Sequence, residues 1–90
     1  LKEVGQLRCK ATGRKVTVLS SQPAAVLYTG NWLSGGCPKT KSDKYYQDYA
    51  GVAIECQGFS DAVNHPDFPS IYLKADELYC NKIVFKLEQF

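Results

Sequence analysis

Ninety residues with 44% hydrophobic and 12% aromatic content describe one folded domain rather than two domains or a disordered tail. The net charge of +2 is too small to predict nucleic-acid binding by itself. No stretch approaches the apolar length of a membrane span, and no Asn-x-Ser/Thr acceptor occurs.

In chain order, Gln6 to Lys10 and Lys15 to Leu19 read as the arms of a hairpin. The turn Ala11-Thr12-Gly13-Arg14 joins them, with Gly13 free to take positive φ. Val16 and Val18 alternate with Lys15, Thr17 and Leu19, which gives the second arm one face for a core. Ser20 and Ser21 followed by Pro23 form a helix-start signal. Ala24, Leu27, Tyr28 and Asn31 share a stripe with Val26 beside it, so a short helix is expected from Gln22 to Trp32, weakened by Gly30 and ended at Ser34-Gly35-Gly36. A loop over 36–44 follows, carrying Lys39, Lys41 and Lys44, with Tyr45, Tyr46 and Tyr49 just beyond. Residues 50–56 read as a strand, 57–69 as a Gly/Pro/Asn-rich loop, 70–74 as a strand and 75–81 as a turn. Lys82 to Phe90 alternates, with Ile83, Phe85 and Leu87 on one face. Two strands, a helix and three or more strands make an α+β domain over 1–90, one short helix packed on an antiparallel sheet.

Cysteines stand at Cys9, Cys37, Cys56 and Cys80, with no pair closer than 19 positions, so there is no Cys-x-x-Cys hook. An even count at wide spacing in a short chain is expected to form two disulfides, with three connectivities open. The chain has no methionine, and both features fit a secreted protein whose leader has been removed. The competing reading of the four cysteines is free thiols in a cytosolic domain. One histidine and scattered cysteines lack metal-ligand spacing, so neither a metal nor a cofactor is expected.

Three segments carry a family resemblance. These are Cys9 through Leu33; Asp43-Lys44-Tyr45-Tyr46-Gln47-Asp48-Tyr49-Ala50-Gly51-Val52; and Asp67-Phe68-Pro69-Ser70-Ile71 followed by Leu78-Tyr79 and Lys82-Ile83-Val84-Phe85. In that order they resemble the small fungal guanyl-specific ribonucleases of the T-one type. The family cleaves RNA with two histidines, a glutamate and an arginine, which together move protons and steady the phosphate. Here the matching positions hold Asp43, Asp67 and Lys82, and the second histidine has no counterpart. The chain's one histidine, His65, matches neither family position. What the resemblance implies is a ribonuclease-like fold without its catalytic residues, similar to the secreted ribonuclease-like effectors of powdery mildew fungi. It further implies delivery into a plant cell, binding of host RNA or a host protein, and detection by plant immune receptors. Lys39, Lys41, Lys44, Tyr45, Tyr46 and Tyr49 would then neutralise phosphates and stack bases. The family's pairing, carried over, favours Cys9–Cys80 and leaves Cys37–Cys56. The chain is expected to be a monomer with no membrane partner. Two rivals stay open at this point: an active divergent ribonuclease using Asp67, His65 and Lys82, and a disulfide-stapled killer-toxin-like or antimicrobial protein.

Overall fold

A computed structural model describes residues 1–35 and 39–90. Its elements are strands β1 (Lys2–Cys9), β2 (Arg14–Ser20), β3 (Ala24–Tyr28), β4 (Ala53–Gln57) and β5 (Ile83–Gln89), with a single 3₁₀ turn at Ala62–Asn64. The first, second and fifth strands form one sheet in the order β1-β2-β5, and β3 pairs with β4 in a second, two-stranded sheet. The chain divides into two compact units, Leu1–Ala25 with Cys56–Phe90, and Val26–Glu55.

The first unit is built around β2. It is antiparallel to β1 on one side and to β5 on the other. The β1–β2 hairpin turns where the sequence places it. Gly13 takes φ +64°, and the Thr12 amide donates to the Cys9 carbonyl at 3.3 Å. The Phe90 amide donates to the Gly13 carbonyl at 2.9 Å, which ties the end of β5 to the hairpin turn. A bulge between Glu3 and Gly5 shifts the register near the start of β1. Val18, at the middle of the central strand, is fully buried, with Thr17 and Ser20 buried beside it.

The α+β expectation is overturned: among the described residues every regular element but one 3₁₀ turn is a strand, and there is no α-helix. Where a helix was expected over Gln22 to Trp32, the chain forms β3. The serines that read as a helix start are spent otherwise. Ser20 Oγ accepts the Gln22 amide at 3.0 Å in a local turn. Ser21 Oγ accepts the Lys82 amide at 3.0 Å, and the Ser21 amide donates back to the Lys82 carbonyl at 3.0 Å. With the caps engaged, Ala-Ala-Val-Leu-Tyr extends behind Pro23 and pairs with β4. The strand expected over 70–74 is irregular backbone.

The two-disulfide expectation fails as well. Cys9 and Cys80 are exposed free thiols and Cys56 is a buried free thiol. The Cys9–Cys80 bridge is therefore absent. In the expected Cys37–Cys56 pair, Cys37 lies outside the described residues. The cysteine spacing suited staples, but pairing requires Cβ atoms about 3.5–4.5 Å apart, and spacing alone does not supply that.

Candidate functional site

The residues singled out from the sequence do not assemble into one site. Asp43 occupies a left-handed turn at φ +59° and is paired with Lys39 at 3.2 Å. Lys39 also lies 5.9 Å from the centre of the Tyr45 ring. Tyr45 and Tyr49 are largely exposed, and Lys41, Lys44 and Tyr46 are exposed beside them. Asp67 and Lys82 belong to the other unit. Asp67 sits in a turn, while Lys82 has its backbone committed to Ser21. His65 follows the 3₁₀ turn, with Nε2 at 3.2 Å from Asp61 Oδ2 and its ring stacked on Phe68 at 4.6 Å. Phe68 in turn packs on Phe59 at 5.0 Å. The Asp-Phe-Pro segment that suggested a catalytic carboxylate thus serves a small aromatic cluster under a turn.

Carboxylates are the groups best suited to proton transfer in this chain, and most are already occupied. Glu3 accepts from Gln6, Asp43 from Lys39, and Asp61 from Asn64 and His65. Glu77 accepts the Lys74 amide. Asp48 accepts both the amide and the hydroxyl of Ser34, at 2.9 and 2.8 Å, and these bonds hold its carboxyl below the usual range. Glu88 accepts from Lys15 and Thr17. Among the described residues this leaves Glu55, Asp67 and Asp76 without a side-chain partner. Asp67 and Asp76 lie in turns, whereas Glu55 is exposed within β4. A carboxylate fixed on a strand and left without a partner is free to meet a ligand.

The sequence held a signal for Glu55 that the strand assignment absorbed. It is the single charge in the run Ala-Gly-Val-Ala-Ile-Glu-Cys, where a half-buried strand would favour another apolar or neutral residue.

The first unit also contains a concave pocket of about 400 Å³. Gln22, Gln57, Ser70 and Tyr79 contribute polar groups, and Tyr72, Ile71 and the buried Cys56 thiol contribute its apolar wall. Gln22 Nε2 donates to the Tyr79 hydroxyl at 3.1 Å, which orients both side chains. Gly58 keeps the wall open, because a Cβ there would lie 2.7 Å from Ile71 Cγ2. Amide and hydroxyl groups beside aromatic rings suit a small ligand rich in hydroxyls, which offers donors, acceptors and an apolar ring face together. Neither Gln22 nor Tyr79 was recognised in the sequence, since their partnership spans 57 positions.

Comparison with known proteins gives this chemistry a frame. The family model described as aldose 1-epimerase matches residues 1–86. The chain is 42% identical to a galactose mutarotase of Rattus norvegicus over 76 residues, which are 84% of this chain and 22% of that protein. It is 40% identical to the Homo sapiens galactose mutarotase over 76 residues, again 84% of this chain and 22% of the relative. An aldose 1-epimerase of Escherichia coli is 32% identical over 88 residues, covering 81% of this chain and 25% of the relative. The chain spans about a fifth to a quarter of the length of these relatives. No solved structure matches it. These matches overturn the ribonuclease resemblance and, with it, the reading of a catalytically dead, RNA-binding effector. The shared segments were short runs of aromatic and turn residues, which an all-sheet chain can carry for reasons of local packing. With a family model covering nearly its whole length, the chain belongs to the aldose 1-epimerase family.

Proposed function

We propose that this chain takes part in interconverting the anomers of an aldose, with galactose as the first substrate to test, and that Glu55 acts there as the general base. The reading rests on one observation: in a chain of this family, Glu55 is the strand-borne carboxylate that no described side chain occupies. Support for galactose comes from the relatives, several of which are galactose mutarotases.

Anomer interconversion is proton transfer around a ring opening. A base takes the proton from the anomeric hydroxyl, the C1–O5 bond breaks as C1–O1 becomes a carbonyl, and an acid protonates O5. Rotation about C1–C2 presents the other carbonyl face, and the same steps in reverse close the ring. No oxidant, reductant or covalent intermediate is required. A carboxylate can serve as the base when it is fixed and partly solvated. The acid must be a second group. His65, the chain's one histidine, is engaged with Asp61 and Phe68, so we assign it no part.

The test is the change in optical rotation of freshly dissolved α-D-galactose in the presence of the protein that contains this chain. Acceleration above the spontaneous rate is expected, and Glu55→Gln should remove about 10²–10⁴-fold of it. Full acceleration by Glu55→Gln would eliminate Glu55 as the base. No acceleration by the unaltered protein would eliminate the proposed activity.

A further inference from the structure

Two segments far apart in the chain are tied together beside the pocket of the first unit. The Ser21 amide donates to the Lys82 carbonyl at 3.0 Å, and the Lys82 amide donates back to Ser21 Oγ at 3.0 Å. One position on from Ser21, Gln22 Nε2 donates to the Tyr79 hydroxyl at 3.1 Å. The backbone amide of Gln22 is itself held on Ser20 Oγ at 3.0 Å, and Pro23 restricts the backbone behind it. Gln22 and Tyr79 both line the pocket of about 400 Å³.

A glutamine side chain carries a carbonyl oxygen and an NH₂ group, and a half-turn of its last bond exchanges the two. An unheld glutamine also gives up rotamer freedom when a ligand immobilises it. The bond to Tyr79 answers both problems before a ligand arrives. It commits Nε2 to the phenol, which leaves Oε1 as a directed acceptor and one N–H as a directed donor. A sugar hydroxyl both donates and accepts, so it gains from an amide whose two ends are fixed. Tyr79 is 63% exposed, so its ring adds little to a core, and the bond to Gln22 is the one its side chain makes among the described residues.

We propose that Tyr79 is a positioning residue for aldose binding, acting through Gln22: its hydroxyl fixes which end of the Gln22 amide meets a sugar hydroxyl in the pocket. The choice of an aldose as ligand rests on the function proposed above. The positioning itself rests on the Gln22–Tyr79 bond and on the Ser21–Lys82 tie that sets it.

Calorimetric titration with D-galactose of the protein that contains this chain, read beside its mutarotation kinetics, tests the proposal. Tyr79→Phe keeps the ring and removes the acceptor. It should weaken galactose binding about 3- to 10-fold and raise KM by the same factor, with kcat within about twofold. Gln22→Ala should weaken binding at least as much. The double variant should bind no more weakly than Gln22→Ala alone, because Tyr79 has nothing left to position. Unchanged affinity in Tyr79→Phe overturns the proposal. So do losses that add in the double variant, which would make Tyr79 act independently of Gln22, and so does a failure of the unaltered protein to bind galactose. Binding that depends on Tyr79 in a protein that does not accelerate mutarotation upholds the positioning role and removes the proposed activity. Accelerated mutarotation indifferent to Tyr79→Phe does the reverse.

Discussion

Gly30 has φ +77°, and a Cβ there would lie 2.9 Å from the Gly51 carbonyl oxygen and 2.8 Å from Leu33 Cδ1. Its own carbonyl accepts the Tyr49 amide at 2.8 Å. Any side chain must therefore strain the backbone and displace a neighbouring carbonyl within the Val26–Glu55 unit. Gly30→Ala is expected to destabilise by about 2–4 kcal/mol, combining the left-handed penalty with the clash. The measurement is thermal unfolding, together with hydrogen exchange at the Tyr49 amide, which should lose protection. A second residue-scale expectation concerns thiol reactivity. The Cys9 thiol is held below its ordinary pKa, first by a hydrogen bond from the Thr12 side chain and then by the Thr12 amide, with a smaller contribution from Arg14. Cys9 is exposed, whereas Cys56 is only 8% exposed. Iodoacetamide at neutral pH should modify Cys9 at least about tenfold faster than Cys56, because alkylation needs an accessible thiolate. Thr12→Val should slow Cys9 selectively. Equal rates at the two thiols, read by peptide mass, would contradict this account.

At the scale of elements, β2 and β5 are joined by a cross-strand pair whose sign with pH can be stated. Lys15 lies opposite Glu88 in the register, and Lys15 and then Thr17 hold the Glu88 carboxyl below the usual glutamate range. A depressed carboxyl pKa means the folded state binds its proton less readily than the unfolded chain. The stabilisation is thus present above the unfolded glutamate value, near about 4.3, and is lost as pH falls through the lower folded value. Glu88→Gln should flatten that part of the acid-denaturation curve, while the wild type steepens below about pH 4.3. Parallel curves would show that the pair contributes nothing. The same two strands explain what could be read in advance. Gly13 marked the hairpin, and the alternation of Ile83, Phe85 and Leu87 marked β5, because both signals are local and each has one structural solution. The helix over Gln22 to Trp32 was misread because Ser20 and Ser21 have two uses. Their hydroxyls cap a helix only if nothing else takes them, and Ser21 is taken by Lys82, 61 positions away. Glu55 stayed hidden for a related reason. Its distinction is the absence of a partner, visible only once the partners of Asp48, Asp61 and Glu88 are known.

For the whole molecule, the decisive quantity is how much surface folding removes from water. An unfolded chain of 10.0 kDa exposes about 14,500 Å². Folding to 7524 Å² therefore buries about 7,000 Å². The slope of unfolding free energy with urea scales with that burial. The chain should consequently show a slope within the ~1–3 kcal/mol/M range of small proteins. Val18, fully buried at the centre of the three-stranded sheet, makes the expectation sharper. Removing two methyl groups by Val18→Ala leaves a cavity worth about 1–3 kcal/mol. That is a large share of the stability available to a domain this small. In isolation the variant should be substantially unfolded in the absence of urea by circular dichroism. A Val18→Ala variant that stays well folded in the absence of urea would contradict this account.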